Sequence, residues 1–226
     1  MRARDDDFAE HYANRGEKLA DGLVHGLGLS AAVAGGVVLI VASILTGGGA
    51  GLAVATGLYA LCLITMLACS TAYNLTKATR ARPFLRRLDE AAIFLMIAGS
   101  YTPFTTQRMG GAWAVSMTAL VWGLALAGVA GKLLSSRLPD WVWTVGYVAF
   151  GWVALIALRP LIQGVPVAAL ALLIIGGLIY TTGALIFHSR LPYRRAIWHG
   201  FVVTAAGAHY AAICAGVVFA TALKVQ

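Results

Sequence analysis

The chain alternates between long apolar runs and short polar connectors. Seven runs have the length a bilayer-spanning helix needs, roughly 17–25 residues. They lie at about 22–46, 51–76, 88–107, 111–133, 141–158, 165–188 and 196–222. Between them stand GGGAG at 47–51, KATRARPFLRR at 77–87, QRMGG at 107–111, KLLSSRLPD at 132–140, RPLIQG at 159–164 and SRLPYRR at 189–195. Apolar runs of this length read as helices, because strands are far shorter. The pattern predicts an all-α integral membrane protein, a seven-transmembrane helix bundle. Segment 1–21 is a polar tail, 22–222 the bundle and 223–226 a short C-terminal tail.

Composition sharpens this reading. Of 226 residues, 60% are hydrophobic and 12% charged, the latter about half the share of a soluble domain. A soluble core of this size could not bury so much continuous apolar sequence, so lipid is the solvent. The first ~20 residues lack the apolar stretch of a signal peptide, and the first long run reads as a retained helix. Cys62, Cys69 and Cys214 all lie within apolar runs, which argues against a disulfide framework.

The net charge of +8 would raise nucleic acid as a partner in a soluble protein. Here the basic residues sit in the connectors, where topology and anionic headgroups account for them. Membrane lipids, not nucleic acid, are the expected partners. With a cytoplasmic N-terminus, fourteen of the seventeen Lys and Arg fall inside, in the tail and the second, fourth and sixth connectors; only Arg108, Arg159 and Lys224 fall outside. Seven spans then put the C-terminus outside. In the last run Gly200, Thr204, Ala208, Ala212 and Gly216 recur at every fourth position, a small-residue stripe that suits close helix packing or a homo-oligomer seam.

No Asp, Glu, Lys or Arg falls in the middle third of a span. The polar residues gather at one depth instead. Glu17, Asp21 and His25 enter helix one, Ser70 and Asn74 leave helix two, Asp89 and Glu90 enter helix three, and Arg195 and His199 enter helix seven. Ser70/Asn74 and Arg195/His199 are i, i+4 pairs, each on one helix face. Helix directions place all of these at the cytoplasmic end, so one cavity there can collect them. His209 lies deeper, roughly 80° around the helix from His199 at ~100° per residue.

The segment LDEAAIFLMIAGSYTPF at 88–104, with EKLADGLVHGLG at 17–28, CSTAYN at 69–74 and RAIWHGFVVTAAGAHYAAI at 195–213, resembles the hemolysin III family, the bacterial relatives of the progestin and adipoQ receptors. The resemblance spans essentially the whole chain. It implies a multi-pass protein of a bacterial plasma membrane. It also implies an inner-leaflet zinc ion, held by a His ending S-x-x-x-H on helix two and by H-x-x-x-H on helix seven, with a helix-three Asp nearby. Ser70 matches the serine, Asp89 the aspartate, His199 the second helix-seven histidine and His25 the family's helix-one entry. Asn74 and Arg195 stand where the other two histidines are implied.

An amide oxygen is a poor replacement for imidazole, and Arg cannot ligate. The expectation is therefore a zinc-free polar site of Ser70, Asn74, Asp89, Arg195 and His199, supported by His25 and Glu17. In it Arg195 either pairs with Asp89 or snorkels to the surface. If a metal binds, His199 and Asp89 are its ligands; if catalysis remains, Asp89, His199 and Ser70 are the candidates, with Asp89 orienting His199 as a base. The leading functional expectation is a non-enzymatic protein responsive to lipid or membrane state. The alternatives are a zinc-dependent hydrolase of a lipid amide or ester, and a pore-forming protein.

Overall fold

A computed structural model describes residues 11–77, 79–134 and 138–220. The expected C-terminal tail, the first ten residues, and Arg2, Arg4, Arg137 and Lys224 of the charge count lie outside them. The described residues form seven helical segments and no strand. These are α1 (Arg15–Leu45), α2 (Gly49–Leu75), α3 (Arg82–Gln107), α4 (Gly111–Leu134), α5 (Asp140–Gly164), α6 (Val167–Phe187) and α7 (Arg194–Val218). Six of them, all but α3, are long and apolar enough to cross a membrane. The first turns of α3 carry Arg82, Arg86, Arg87, Asp89 and Glu90, which dilute its apolar character.

Helix starts differ from the expected runs where caps extend them. α1 begins at Arg15 rather than 22, because the Asn14 side chain accepts from the Glu17 backbone N–H (2.9 Å), satisfying a donor left free at a helix start. α3 begins at Arg82 rather than 88, with Pro83 in its first turn, where a missing N–H costs nothing. The α1–α2 turn reverses the chain on Gly47 (φ +71°) and Gly49 (φ +72°), left-handed conformations that glycine adopts without a Cβ penalty.

The expected connector at 159–164 is instead the last part of α5. This helix changes to 3-10 geometry over Trp152–Ala157 and resumes at Leu158–Gly164. Pro160 falls in the first turn of the resumed helix, so it needs no N–H partner there. Tyr101 of α3 is spliced into the irregular stretch: its hydroxyl donates to the Gly151 carbonyl (2.7 Å) and accepts from the Ala154 N–H (2.8 Å).

Neighbours in sequence pack side by side from α1 to α4, α6 packs on α7, and α7 closes back on α1. α5 rests on α3 and α6. The interior holds Leu39, Tyr59, Met66, Ala98, Val121, Ala205 and Ile213. The perimeter is apolar too: Leu27 and Val115 are each 72% exposed. Large apolar side chains facing outward on several helices reverse the soluble arrangement, and a hydrocarbon solvent explains them. Small residues let helices approach closely. A Cβ on Gly99 of α3 would meet the Cys62 Cβ of α2 at 2.7 Å, and one on Gly176 of α6 would meet the His209 ring of α7.

The α7 small-residue stripe does not form one face. Thr204 is exposed, whereas Ala212 and Gly216 are buried. Steps of four residues advance ~40° around a helix of ~100° per residue, so the stripe winds from the perimeter into the bundle.

Candidate functional site

One end of the bundle collects the starts of α1, α3, α5 and α7 and the ends of α2, α4 and α6. A cavity of about 540 Å³ opens there, lined by residues of all seven helices. Its walls include Val24, Leu67, Ile93, Trp143, Trp198 and Val202. Its polar lining includes His25, Ser70, Asn74, Asp89, Arg195 and His199.

The centre of the polar group is a residue that does not line the cavity. Asp21, wholly buried, lies one turn before His25 on α1. Its Oδ1 is 2.6 Å from His199 Nδ1, and its backbone carbonyl is 2.9 Å from His25 Nδ1. A carbonyl oxygen only accepts, so His25 carries its proton on Nδ1. His199 shares its Nδ1 proton with the Asp21 carboxylate in the same way. Both rings therefore present an Nε2 lone pair, and both lone pairs face one atom, Ser70 Oγ, at 3.3 Å from His25 and 3.5 Å from His199. The rings meet edge to face, centroids 4.3 Å apart.

Ser70 Oγ also accepts from Asn74 Nδ2 (3.3 Å), which donates to the Ser70 carbonyl as well (3.0 Å). Arg195 sets that amide's orientation, since its Nη1 donates to Asn74 Oδ1 (3.1 Å). The Arg195 Nε is buried and unpartnered. Asp89 faces the same hydroxyl. Ser70 has one proton, while two imidazole nitrogens and a carboxyl converge on it. The cluster is thus rich in lone pairs and poor in protons.

The segment before α1 covers this cluster. Tyr12 donates to Asp21 Oδ2 (2.6 Å) and lies 3.2 Å from the Asn74 carbonyl. His11 packs edge-on to Tyr73, centroids 4.9 Å apart. Burial, then the charges of Arg195, Arg82 and Arg86, hold its imidazole at about 3, far below the usual value. Along one side Arg86 bridges Glu90 (2.9 Å) and Asp140 (3.0 Å), and Lys132 pairs with Glu90 (2.6 Å) beneath the Trp143 ring.

Ser70, Asn74, Arg195 and His199 therefore come together as one hydrogen-bonded group, and Asp89 lines the same cavity. His25 stands inside the cluster rather than supporting it. Glu17 stands outside: its carboxylate accepts from the N–H groups of Ala13 (3.2 Å) and Tyr193 (3.4 Å). Arg195 donates to Asn74, and its charge also acts on Asp89. The partner of His199 is Asp21, not Asp89. Asp21 was visible in sequence as a polar residue at the right depth, but its contact with a residue 178 positions away was not. Tyr12 and His11 gave no sequence signal.

The model of the family described as haemolysin-III related matches residues 16–210. The chain belongs to this family. It is 30% identical over 188 residues to Hemolysin-3 of Bacillus cereus, covering 83% of this chain and 85% of that protein. It is 28% identical over 195 residues to the Hemolysin-3 homolog of Bacillus subtilis (strain 168), covering 86% and 91%. It is also 33% identical over 127 residues to the human monocyte to macrophage differentiation factor, covering 55% and 52%.

The zinc site that the hemolysin III resemblance implies does not fit these residues. Asn74 turns its oxygen to a guanidinium and its NH₂ toward Ser70, so it offers no lone pair there, and Arg195 brings a fixed positive charge. A different set has the right donor types. Ligand atoms of Asp21, His25 and His199 lie within 4.8 Å of one another, and two His with a carboxylate is a known zinc donor set. In the present arrangement, however, His199 Nδ1 bonds the Asp21 carboxylate, and the two His25 nitrogens bond the Asp21 backbone carbonyl and Ser70 Oγ.

Proposed function

We propose that this haemolysin-III related protein binds an amphipathic lipid, head inward, in the cavity at the cytoplasmic end of a seven-span bundle in the plasma membrane. The supporting observation is the cavity itself. At about 540 Å³ it has the size of a small-molecule site. It joins apolar walls to a polar group of Ser70, Asn74, Arg195 and His199, so one occupant must be both apolar and polar. In this reading the cluster is metal-free, and Arg195 supplies its positive charge. The test is photocrosslinking of purified protein with a diazirine fatty acid. Adducts on cavity residues such as Val202 or Ile93, lost in Val202→Trp, are expected; adducts confined to the perimeter would overturn the reading.

A second reading is favoured by the closeness of Asp21, His25 and His199: a metal-dependent lipid hydrolase, with these three side chains holding the ion and placing it beside Ser70. Such an ion would supply Lewis acidity and an activated water. Metal analysis of protein purified without chelators separates the two. One zinc per chain, lost in Asp21→Ala, supports the metal centre; less than a tenth supports the metal-free cluster.

A further inference from the structure

We propose that Ser70, His199 and Asp21 form a nucleophile, base and acid, and that the protein cleaves the carboxylic ester of an acyl lipid by covalent acyl transfer. The inference rests on the lipid-cavity reading above. The order of contacts is what such chemistry requires: a hydroxyl facing a base, and the base oriented by a third group. Asp21 Oδ1 holds His199 Nδ1 at 2.6 Å, and His199 Nε2 faces Ser70 Oγ at 3.5 Å. Catalytic hydrogen bonds are commonly this long without substrate.

Placement agrees with these roles. Ser70 and His199 line the cavity, whereas Asp21 lies behind His199, fully buried and away from the cavity. Of the two imidazoles facing Ser70, His199 hydrogen-bonds the Asp21 carboxylate through its Nδ1 (2.6 Å), whereas His25 Nδ1 bonds the Asp21 backbone carbonyl (2.9 Å) and lies 3.7 Å from the carboxylate. A carboxylate stabilises the imidazolium that forms as the proton arrives. Asn74 Nδ2, which donates to Ser70 Oγ (3.3 Å), is the amide donor beside the nucleophile that an oxyanion would draw on. Ser70 lies five residues before the end of α2, roughly 7–8 Å along the helix.

The reaction balances with water as the only co-reactant. Ser70 Oγ bonds to the ester carbonyl carbon as its proton passes to His199 Nε2. The tetrahedral oxyanion draws on the Asn74 amide, whose oxygen Arg195 holds. The carbon–oxygen bond to the alcohol breaks, and His199 returns the proton to the leaving oxygen. Water then attacks the acyl-serine, His199 takes its proton, and the fatty acid leaves as Ser70 regains a hydrogen. Asp21 acts through His199 and is a positioning residue.

The test uses the full chain purified in detergent and a long-chain alkyl fluorophosphonate, with the labelled peptide identified by mass spectrometry. Ser70 is expected to carry the label and Ser70→Ala to carry none. His199→Ala should slow labelling and ester hydrolysis by about 10³–10⁴-fold. Asp21→Asn should slow them similarly per folded molecule while Asp21→Glu, which keeps the carboxylate, recovers part of the rate, a contrast a merely structural role would not give. Wild-type protein that takes up the diazirine fatty acid in the cavity but never labels at Ser70 would overturn the triad and leave the lipid reading standing. Failure of both overturns the lipid reading first. Ester hydrolysis that survives Ser70→Ala and is lost to a chelator would also overturn the triad, in favour of the metal.

Discussion

Ser43 of α1 and Thr56 of α2 are fully buried with their hydroxyls 3.0 Å apart, and each also has a carbonyl of its own helix within reach of its single proton (2.7 Å and 2.9 Å), so one donates across while the other donates to its own helix. Because both have that fallback, their mutual bond should be worth only about 0.6 kcal/mol in a membrane. A double-mutant cycle of Ser43→Ala and Thr56→Val, read by unfolding in mixed detergent, should return a coupling of that size. His11 makes a sharper prediction. Its docked imidazole titrates at about 3, against roughly 6.5 when free. The contribution of docking is therefore complete above about pH 6.5 and is lost as pH falls toward 3. A spin label at Ala13→Cys should become progressively more mobile as pH falls from about 6.5 toward 3 in the native sequence, and His11→Leu should abolish that pH dependence. The same residues show what was hidden. Asn74, Asp89, Arg195 and His199 could be placed at one depth from helix directions and i, i+4 spacing. Asp21 and His25 lie on a face that continues through Gly28, Ala32 and Gly36, all buried, so the inward side of α1 was legible, but which residue of a helix far along the chain Asp21 meets was not.

Helix existence was legible for all seven segments, since each needs only a long apolar run. Boundaries were less so: the Asn14 cap and the chain's passage through Pro160 both extend helices into polar sequence. α3 shows why. Its first turns are charged, and they remain helical because α4 and α5 neutralise them. Glu90 meets Lys132, which is 4% exposed, and Arg86 meets Asp140. Glu90→Gln would strand a buried ammonium, at a cost on the order of 3 kcal/mol, while Trp143 retains part of its stabilisation. A fall in thermal midpoint that Glu90→Gln/Lys132→Met largely restores would confirm this. The α6–α7 contact depends on size rather than charge. Gly176→Val would press on the His209 ring and the Ala205 carbonyl, and overpacking of that kind costs about 1–3 kcal/mol. A drop in midpoint without loss of helicity is the expected result.

For the whole molecule, the positive connectors predict a cytoplasmic N-terminus and an external C-terminus. Membrane-impermeant thiol reagents should label Gly110→Cys, in the α3–α4 connector, from outside whole cells, and Ser189→Cys, in the α6–α7 connector, only after permeabilisation, on a background without native cysteines. The reverse pattern would turn the bundle over and move the cavity to the other leaflet. The phenol of Tyr101 has a further consequence. It completes backbone bonds of α5 that the 3-10 stretch leaves open, so a side chain of one helix serves as part of another helix's spine. α3 and α5 are joined at that point as a single stiff panel. Any widening of the cavity to admit a lipid chain must then come from the other walls swinging away from this panel.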